Sequence, residues 1–124
     1  DSSTSRGLGD VYKRQGDGRV LVIFQPHRYS RTQAFLSEFA TSLDKADDVT
    51  LLEIYAASEK PIPGISAELI AEKMQHGHFI PNFVLAAERM IELAKPGDVI
   101  ITLGAGDVNS LAPIIAEGLN KRFA

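Results

Sequence analysis

Arg19-Val-Leu-Val-Ile-Phe-Gln25 is the stretch that decides the fold. It is a short, nearly continuous apolar run rich in β-branched residues, which is typical of a strand buried on both faces of a parallel sheet. Pro26 ends the run, because proline has no N–H to donate to a neighbouring strand. The sequence therefore predicts a central strand of an α/β sheet at residues 19–25.

Helical and strand patterns alternate on the carboxyl side of this stretch. Ser30 is predicted to cap a helix with one apolar stripe, which carries Phe35, Leu36, Phe39, Ala40 and Leu43. Further strands are predicted at 49–54, 78–81 and 98–103. Ser66 and Asn82 are expected to cap the next two helices, and a last helix runs through Leu119. The helix that Asn82 caps is expected to bury Val84, Leu85, Ala87, Met90, Ile91 and Ala94.

This alternation predicts one fold class. Each connection between strands is long enough for parallel pairing. The prediction for residues 16–124 is a Rossmann-like three-layer α/β sandwich with a mostly parallel sheet.

The amino-acid composition limits the kinds of partner and site that are expected. The 124 residues carry a formal charge of −3 and no cysteine, which argues against nucleic acid, an anionic membrane surface, a disulfide framework and a thiolate metal site. No apolar run approaches the length that spans a bilayer. With no secretory signal visible, the cytoplasm is the expected compartment.

Residues 1–15 read differently from the rest. This segment is rich in Ser, Gly and charge and has no apolar periodicity. It is interpreted as a sequence unrelated to the fold, such as a cloning or tag remnant, with a flexible native tail as the alternative. No site is assigned to it.

Three loops are expected at the carboxyl edge of the sheet, where parallel α/β proteins bind ligands. The first is Gln25-Pro-His-Arg-Tyr-Ser-Arg31. Arg28 and Arg31, with His27 beside them, can face one carboxylate or phosphate, and the N–H groups of the helix start add positive potential. The alternative is a solvated basic turn that pairs with Glu59 or Asp107.

The other two loops carry weaker signals. The second loop is Tyr55–Gly64. Its Tyr55 is a packed ring more often than a catalyst, and its Glu59 either holds a substrate amine or pairs in solvent. Gly104-Ala-Gly-Asp-Val-Asn109 follows a strand as a phosphate-binding loop does, but Asn109 replaces the third glycine of the dinucleotide fingerprint. Glycines that only allow a tight turn are the alternative there, with Asp107 as a helix cap. His76 and His78 are interpreted as surface residues, and no metal site is predicted.

Residues 22–32, Val-Ile-Phe-Gln-Pro-His-Arg-Tyr-Ser-Arg-Thr, resemble a signature of the alanine-adding ligases of the Mur family. Glu53-Ile-Tyr-Ala-Ala-Ser-Glu-Lys-Pro-Ile-Pro-Gly64 and Gly104-Ala-Gly-Asp107 resemble that family in order and spacing. The likeness covers about residues 17–120.

The resemblance implies the carboxy-terminal, amino-acid-binding domain of a three-domain bacterial enzyme of peptidoglycan synthesis. In that family ATP phosphorylates the carboxylate of UDP-N-acetylmuramate with help from Mg²⁺, and the amine of L-alanine attacks the acyl phosphate. The resemblance places the alanine carboxylate on Arg28 and Arg31, beside His27. Tyr55, Glu59, Gly104, Gly106 and Asp107 would line the face that closes over the nucleotide and the substrate.

Two family motifs are missing from the sequence. The Gly-x-x-Gly-Lys-Thr phosphate loop of the central domain is absent, and so is the Asp-Asp-Tyr-x-His-His-Pro stretch that opens the third domain. The expectation is a domain without its first β-α unit, without catalytic residues or a bound cofactor of its own, and inactive as a ligase.

Three other readings compete with this one. The first is a free-standing, non-catalytic α/β domain that binds a small molecule. A sibling ligase that attaches a recycled peptide shares the fold but is not expected to carry His-Arg-Tyr-Ser-Arg. A hydride-transferring Rossmann enzyme is least favoured, because of Asn109.

Overall fold

A four-stranded parallel sheet organises the chain in a computed structural model that describes residues 18–104 and 106–123. The strands are β1 (Val20–Gln25), β2 (Asp48–Leu51), β3 (Gly77–Phe79) and β4 (Val99–Gly104), in the order β3-β2-β1-β4. Every pairing between these strands is parallel. The predicted sheet is confirmed, and residues 1–15 lie outside the described part of the chain.

Five helices connect or follow the strands of the described chain. They are α1 (Tyr29–Ala34), α2 (Leu36–Leu43), α3 (Glu68–Glu72), α4 (Phe83–Leu93) and α5 (Leu111–Arg122), and a 3₁₀ turn at Gly106–Ser110 leads into α5. Helix α4 begins as predicted, because the Asn82 side chain accepts a hydrogen bond of 3.0 Å from the Leu85 amide.

Strand β1 is buried on both faces because helices cover the sheet from both sides. Val20 and Val22 point into one core, which α2 and α3 complete with Leu43 and Ile70. The alternate side chains of β1, Leu21 and Ile23, point into a second core, where α4 and α5 contribute Met90, Ala87, Leu111 and Ile115. Two cores on opposite faces confirm the three-layer architecture.

Ion pairs and carboxylate caps tie the elements together at the amino edge of the sheet. The Arg19 guanidinium lies 2.8 Å from the Asp98 carboxylate. Asp48, which is largely buried, holds Arg89 through bonds of 2.6 and 2.9 Å. Asp47 accepts a 2.7 Å hydrogen bond from the Val20 amide and so fixes the start of β1.

Two sequence predictions about the first helix are wrong. The single helix is divided at Phe35, whose backbone (φ −122°, ψ 26°) leaves the helical region between α1 and α2. Phe35, predicted as core, is consequently 46% exposed. Ser30 is not the cap residue, since α1 begins at Tyr29 and Arg28 occupies the cap position.

The predicted buried face of α4 is wrong at its first turn. Val84 is 64% exposed and Leu85 is 57% exposed, whereas Ala86, Ala87 and Met90 form the buried stripe. The two large side chains were assigned to the core by hydrophobicity, but α4 packs into the second core through Ala86, Ala87 and Met90. Within the described ranges, no helix is long and apolar enough to cross a membrane.

Candidate functional site at the carboxyl edge of the sheet

Tyr55 joins the first and second loops at the carboxyl edge. Its amide donates a 2.8 Å hydrogen bond to the Pro26 carbonyl, and its own carbonyl accepts one of 2.7 Å from the Arg28 amide. The Tyr55 and His27 rings stack with centroids 5.7 Å apart and planes inclined by 15°. Tyr55 therefore contacts the basic loop through its backbone and through the His27 ring, and the residue remains 39% exposed.

Arg28 has an unusual backbone conformation. Its φ of 71° and ψ of 142° lie in a region that is almost restricted to glycine. Both of its peptide groups are satisfied, because the amide bonds Tyr55 and the carbonyl accepts from the Thr32 amide (3.2 Å) and hydroxyl (2.8 Å). These bonds hold the strained residue in place and direct its exposed side chain away from the sheet.

The basic residues of the first loop line one cleft. His27, Arg28, Ser30, Arg31 and Phe35 surround it, with a volume of about 470 Å³. Among residues 18–104 and 106–123, neither the Arg28 nor the Arg31 guanidinium forms an ion pair. The structure therefore brings together the three residues predicted to bind an anion and leaves both arginine charges available.

A second cleft adjoins the first on the α2 side and also contains His27 and Arg31. Its wall is largely apolar. The residues that line it are Phe24, Gln25, His27, Arg31, Phe35, Glu38, Phe39, Ser42, Leu43, Leu103 and Gly104. Arg31 thus lines both the basic cleft and the largely apolar cleft.

The Glu59 carboxylate is bonded to the first two residues of α1. Its Oε1 accepts hydrogen bonds from the Tyr29 amide (2.7 Å) and the Ser30 amide (3.1 Å), and its Oε2 accepts one of 2.5 Å from the Ser30 hydroxyl. The Ser30 hydroxyl and amide, the Tyr29 amide and the Arg28 charge together lower the pKa of Glu59. The N–H groups expected to attract a ligand at this helix start are therefore already bonded to Glu59.

The glycine loop reaches the same edge. Gly104, at the end of β4, pairs with Gln25 and lines the second cleft. Gly106 and Asp107 begin the 3₁₀ turn, but the side chain of Asp107 lies outside the described part of the chain. Of the eight predicted site residues, His27, Arg28 and Arg31 converge on one cleft, and Tyr55 and Glu59 support that loop from behind.

The profile of the Mur ligase, glutamate ligase domain, matches residues 3–106, a range that begins inside the segment 1–15. The chain belongs to this family. Among curated relatives, the UDP-N-acetylmuramate–L-alanine ligase of Thermobifida fusca is 51% identical over 123 residues, which are 96% of this chain and 26% of the relative. The enzymes of the same name from Mycobacterium ulcerans and Saccharopolyspora erythraea are 45% and 50% identical over 97% and 82% of this chain.

The chain spans about a quarter of the length of these relatives. This Mur ligase domain also resembles a crystal structure of a domain assigned to a UDP-N-acetylmuramate:L-alanyl-γ-D-glutamyl-meso-diaminopimelate ligase from Haemophilus ducreyi. The TM-score is 0.63 at 19% identity, over 99% of this chain and 83% of the other. At that identity the likeness concerns the fold.

Two residues of the Mur ligase domain that support the site were missed in the sequence. Thr32 is fully buried and holds the Arg28 carbonyl; its position four residues after Arg28, which suits a hydroxyl bond back to a carbonyl, was the available signal. Gln25 is 5% exposed, and its Nε2 donates to the Glu53 carbonyl at 3.2 Å. A polar residue that ends an otherwise apolar strand was the signal in that case.

Metal-binding residues were also sought. The described residues include no group of three or more histidine, cysteine, aspartate or glutamate side chains that could hold a metal ion. His78 lies at the opposite edge of the sheet, where its Nε2 is 3.1 Å from the Asp48 carboxylate. No step of a reaction is therefore assigned to Mg²⁺ on these residues.

Proposed function

We propose that the chain is the amino-acid-binding domain of an ATP-dependent ligase that joins L-alanine to UDP-N-acetylmuramate in the bacterial cytoplasm. The observation that carries the proposal is the cleft formed by His27, Arg28 and Arg31, in which two guanidinium groups have no ion-pair partner among the described residues. The names of the curated relatives support the choice of substrates.

The cleft suits the carboxylate of a small amino acid. A guanidinium offers two parallel N–H donors that match the two oxygens of a carboxylate, and a second guanidinium three residues along the chain adds charge on the same side. His27, stacked on Tyr55, forms a fixed wall beside them. A carboxylate held in this way leaves the amine free to point out of the cleft towards an acyl group.

In the proposed enzyme, ATP transfers its γ-phosphoryl group to the carboxylate of UDP-N-acetylmuramate and leaves as ADP. The alanine amine then attacks the acyl phosphate, and phosphate leaves as the amide forms and the amine loses a proton. This domain contributes the position of the amine, since fixing two reactants in a productive orientation removes much of the entropic barrier. The central and amino-terminal Mur domains supply the ATP and UDP-sugar sites. Gly104, Gly106 and Asp107, with Tyr55 behind the basic loop, are proposed to lie on the edge that closes against them.

The test is Arg28→Ala in the full-length ligase that carries this domain. Loss of a charge-assisted pair of about 1.5–3 kcal/mol should raise the KM for L-alanine about 10- to 150-fold. The KM values for ATP and UDP-N-acetylmuramate should change little. Steady-state phosphate release at varied alanine concentration measures all three.

Lys45→Ala is the matched control. It removes the same charge from an exposed residue between α2 and β2, at the far edge of the sheet. Its alanine KM should equal that of the wild type. An unchanged alanine KM in Arg28→Ala would show that the arginine does not hold the substrate carboxylate.

A further inference from the structure

Glu59 closes the amino terminus of α1 from the second loop. The cap residue of this helix, Arg28, has no side chain that can accept a hydrogen bond from the first turn. Glu59 supplies the missing acceptor across 30 residues of sequence, with Oε1 on the Tyr29 and Ser30 amides and Oε2 on the Ser30 hydroxyl. Each carboxylate oxygen therefore has a partner on the first two residues of α1.

The turn that presents Glu59 is itself unusual. The Glu59 amide donates a 3.0 Å hydrogen bond to the Ala56 carbonyl, and the two residues between them, Ala57 and Ser58, have positive φ angles of 51° and 73°. Two successive positive φ angles characterise a type I′ turn, in which glycine and asparagine are the usual residues. The second loop thus adopts an energetically unfavourable backbone conformation immediately before Glu59, whose carboxylate is bonded to α1.

Arg28 lies between the two places at which the second loop is hydrogen-bonded to the first loop and to the start of α1. Its amide is bonded to Tyr55, four residues before Glu59, and the amides that follow it, Tyr29 and Ser30, are bonded to Glu59. A non-glycine residue keeps such a backbone conformation only where the surroundings determine it on every side. Tyr55 and Thr32 bond the peptide groups of Arg28 itself, and Glu59 fixes the helix that begins immediately afterwards.

We propose that Glu59 is a positioning residue, which sets the backbone of Arg28 and the direction of its guanidinium by capping α1 from the second loop. The inference rests on the proposed function, because the consequence of misdirecting Arg28 is weaker binding of the amino-acid carboxylate. Glu59 itself touches no substrate in this proposal. It differs in that respect from a residue that holds the substrate amine.

The first experiment measures, without any ligand, whether the Glu59 carboxylate is bonded to the amides at the start of α1. In the ¹⁵N-labelled 124-residue protein, the Tyr29 and Ser30 amide resonances should shift as Glu59 titrates, with a midpoint below the usual carboxyl value of 4.5. Glu59→Gln should abolish that pH dependence. Tyr29 and Ser30 amides that show no titration, or one that survives in Glu59→Gln, would overturn the proposal.

The second experiment measures the consequence in the full-length ligase. Glu59→Ala should raise the KM for L-alanine about tenfold, which corresponds to the usual strength of a lost helix cap, with kcat within about twofold of the wild type. Glu59→Gln retains one acceptor oxygen and should recover part of the loss. Glu68→Ala removes an exposed carboxylate from the first turn of α3 and should leave both constants unchanged.

The two proposals fail in different ways. If Arg28→Ala leaves the alanine KM unchanged, the function of the cleft is wrong, while the amide titration still decides whether Glu59 caps α1. If Arg28→Ala raises the alanine KM and Glu59→Ala does not, the carboxylate clamp stands and the positioning role of Glu59 is wrong. If Glu68→Ala changed kcat and the alanine KM as much as Glu59→Ala does, the positioning role of Glu59 would also be wrong.

Discussion

At the scale of single residues, Gly104 shows how closely β4 approaches β1. Its φ is 125°, and a β-carbon added to it would lie 2.4 Å from the Gln25 carbonyl oxygen. That distance is far inside van der Waals contact, and the obstructing atom belongs to backbone that cannot rotate away. The carboxyl end of the β1–β4 pair therefore requires a residue without a side chain.

Gly104→Ala is expected to destabilise the protein strongly. The positive φ alone costs roughly 1–2 kcal/mol for an L-residue, and the forced contact with Gln25 adds about 1–3 kcal/mol. Gly97→Ala is the matched control, because Gly97 has a φ of 94° with no atom within 4 Å of an added β-carbon. Urea denaturation should show the smaller loss in Gly97→Ala. Equal losses in the two variants would mean that β4 relaxes away from Gln25 without cost.

The basic residues of the candidate cleft could be identified from the sequence, and Thr32 left a local signal, whereas the carboxylate that caps α1 could not be identified. Arg28 and Arg31 are recognisable by residue type and spacing at the end of an apolar strand. Glu59 reaches α1 only after the second loop folds back on the first, and Ser30 was assigned the capping role by local pattern. Local patterns contain no information about a carboxylate that arrives from 29 residues away.

At the scale of elements, Asp98 attaches the start of β1 to the turn before β4. Its carboxylate accepts hydrogen bonds from the Arg19 guanidinium (2.8 Å), the Arg19 amide (3.0 Å) and the Lys95 amide (2.9 Å). Burial raises the pKa of Asp98, but the bonds from Arg19 and Lys95 outweigh that effect and lower it below the ordinary value of 3.8. The charged form is therefore the one that stabilises the fold.

The pH dependence follows from the direction of this shift. A carboxyl whose pKa is lowered by folding contributes its full stabilisation above pH 3.8, and the contribution is lost as the pH falls through the lower pKa of the folded state. Asp98→Asn should cost about 1–3 kcal/mol at neutral pH, and its deficit relative to the wild type should shrink below pH 3.8. Urea denaturation at pH 7 and pH 3 measures both differences.

Glu117→Gln is the control for that experiment. Glu117 pairs with Lys121 at 3.3 Å on the exposed surface of α5, where such pairs contribute less than about 1 kcal/mol. Its unfolding free energy should stay close to that of the wild type at both pH values. A deficit in Asp98→Asn that is the same at pH 3 and pH 7 would contradict the assignment of charged Asp98 to the stability of the fold.

The elements themselves were mostly predictable from apolar periodicity, and the failures have local causes. The four strands and the Asn82 cap follow from patterns that survive in the fold. The break at Phe35 does not, because the apolar stripe continues through this residue and no residue type in the sequence marks the interruption. Val84 and Leu85 were misassigned because periodicity alone allows two neighbouring faces of α4 to be the buried one.

At the scale of the whole molecule, the 124 residues include the basic cleft but no phosphate-binding loop of the Gly-x-x-Gly-Lys-Thr type. The 124-residue protein is therefore expected to release no phosphate that depends on both ATP and L-alanine. A phosphate assay with UDP-N-acetylmuramate present tests this. The full-length ligase serves as the positive control, and dependent release by residues 1–124 would contradict the expectation.

The charged residues at the amino edge and at the carboxyl edge of the parallel sheet also differ in their partners. The ion pairs Arg19–Asp98 and Asp48–Arg89 lie where the strands begin. Arg28 and Arg31, which have no ion-pair partner in the described part of the chain, lie where the strands end. Substitutions that replace the ion pairs at the amino edge are therefore expected to change the stability of the fold without changing the residues that line the cleft.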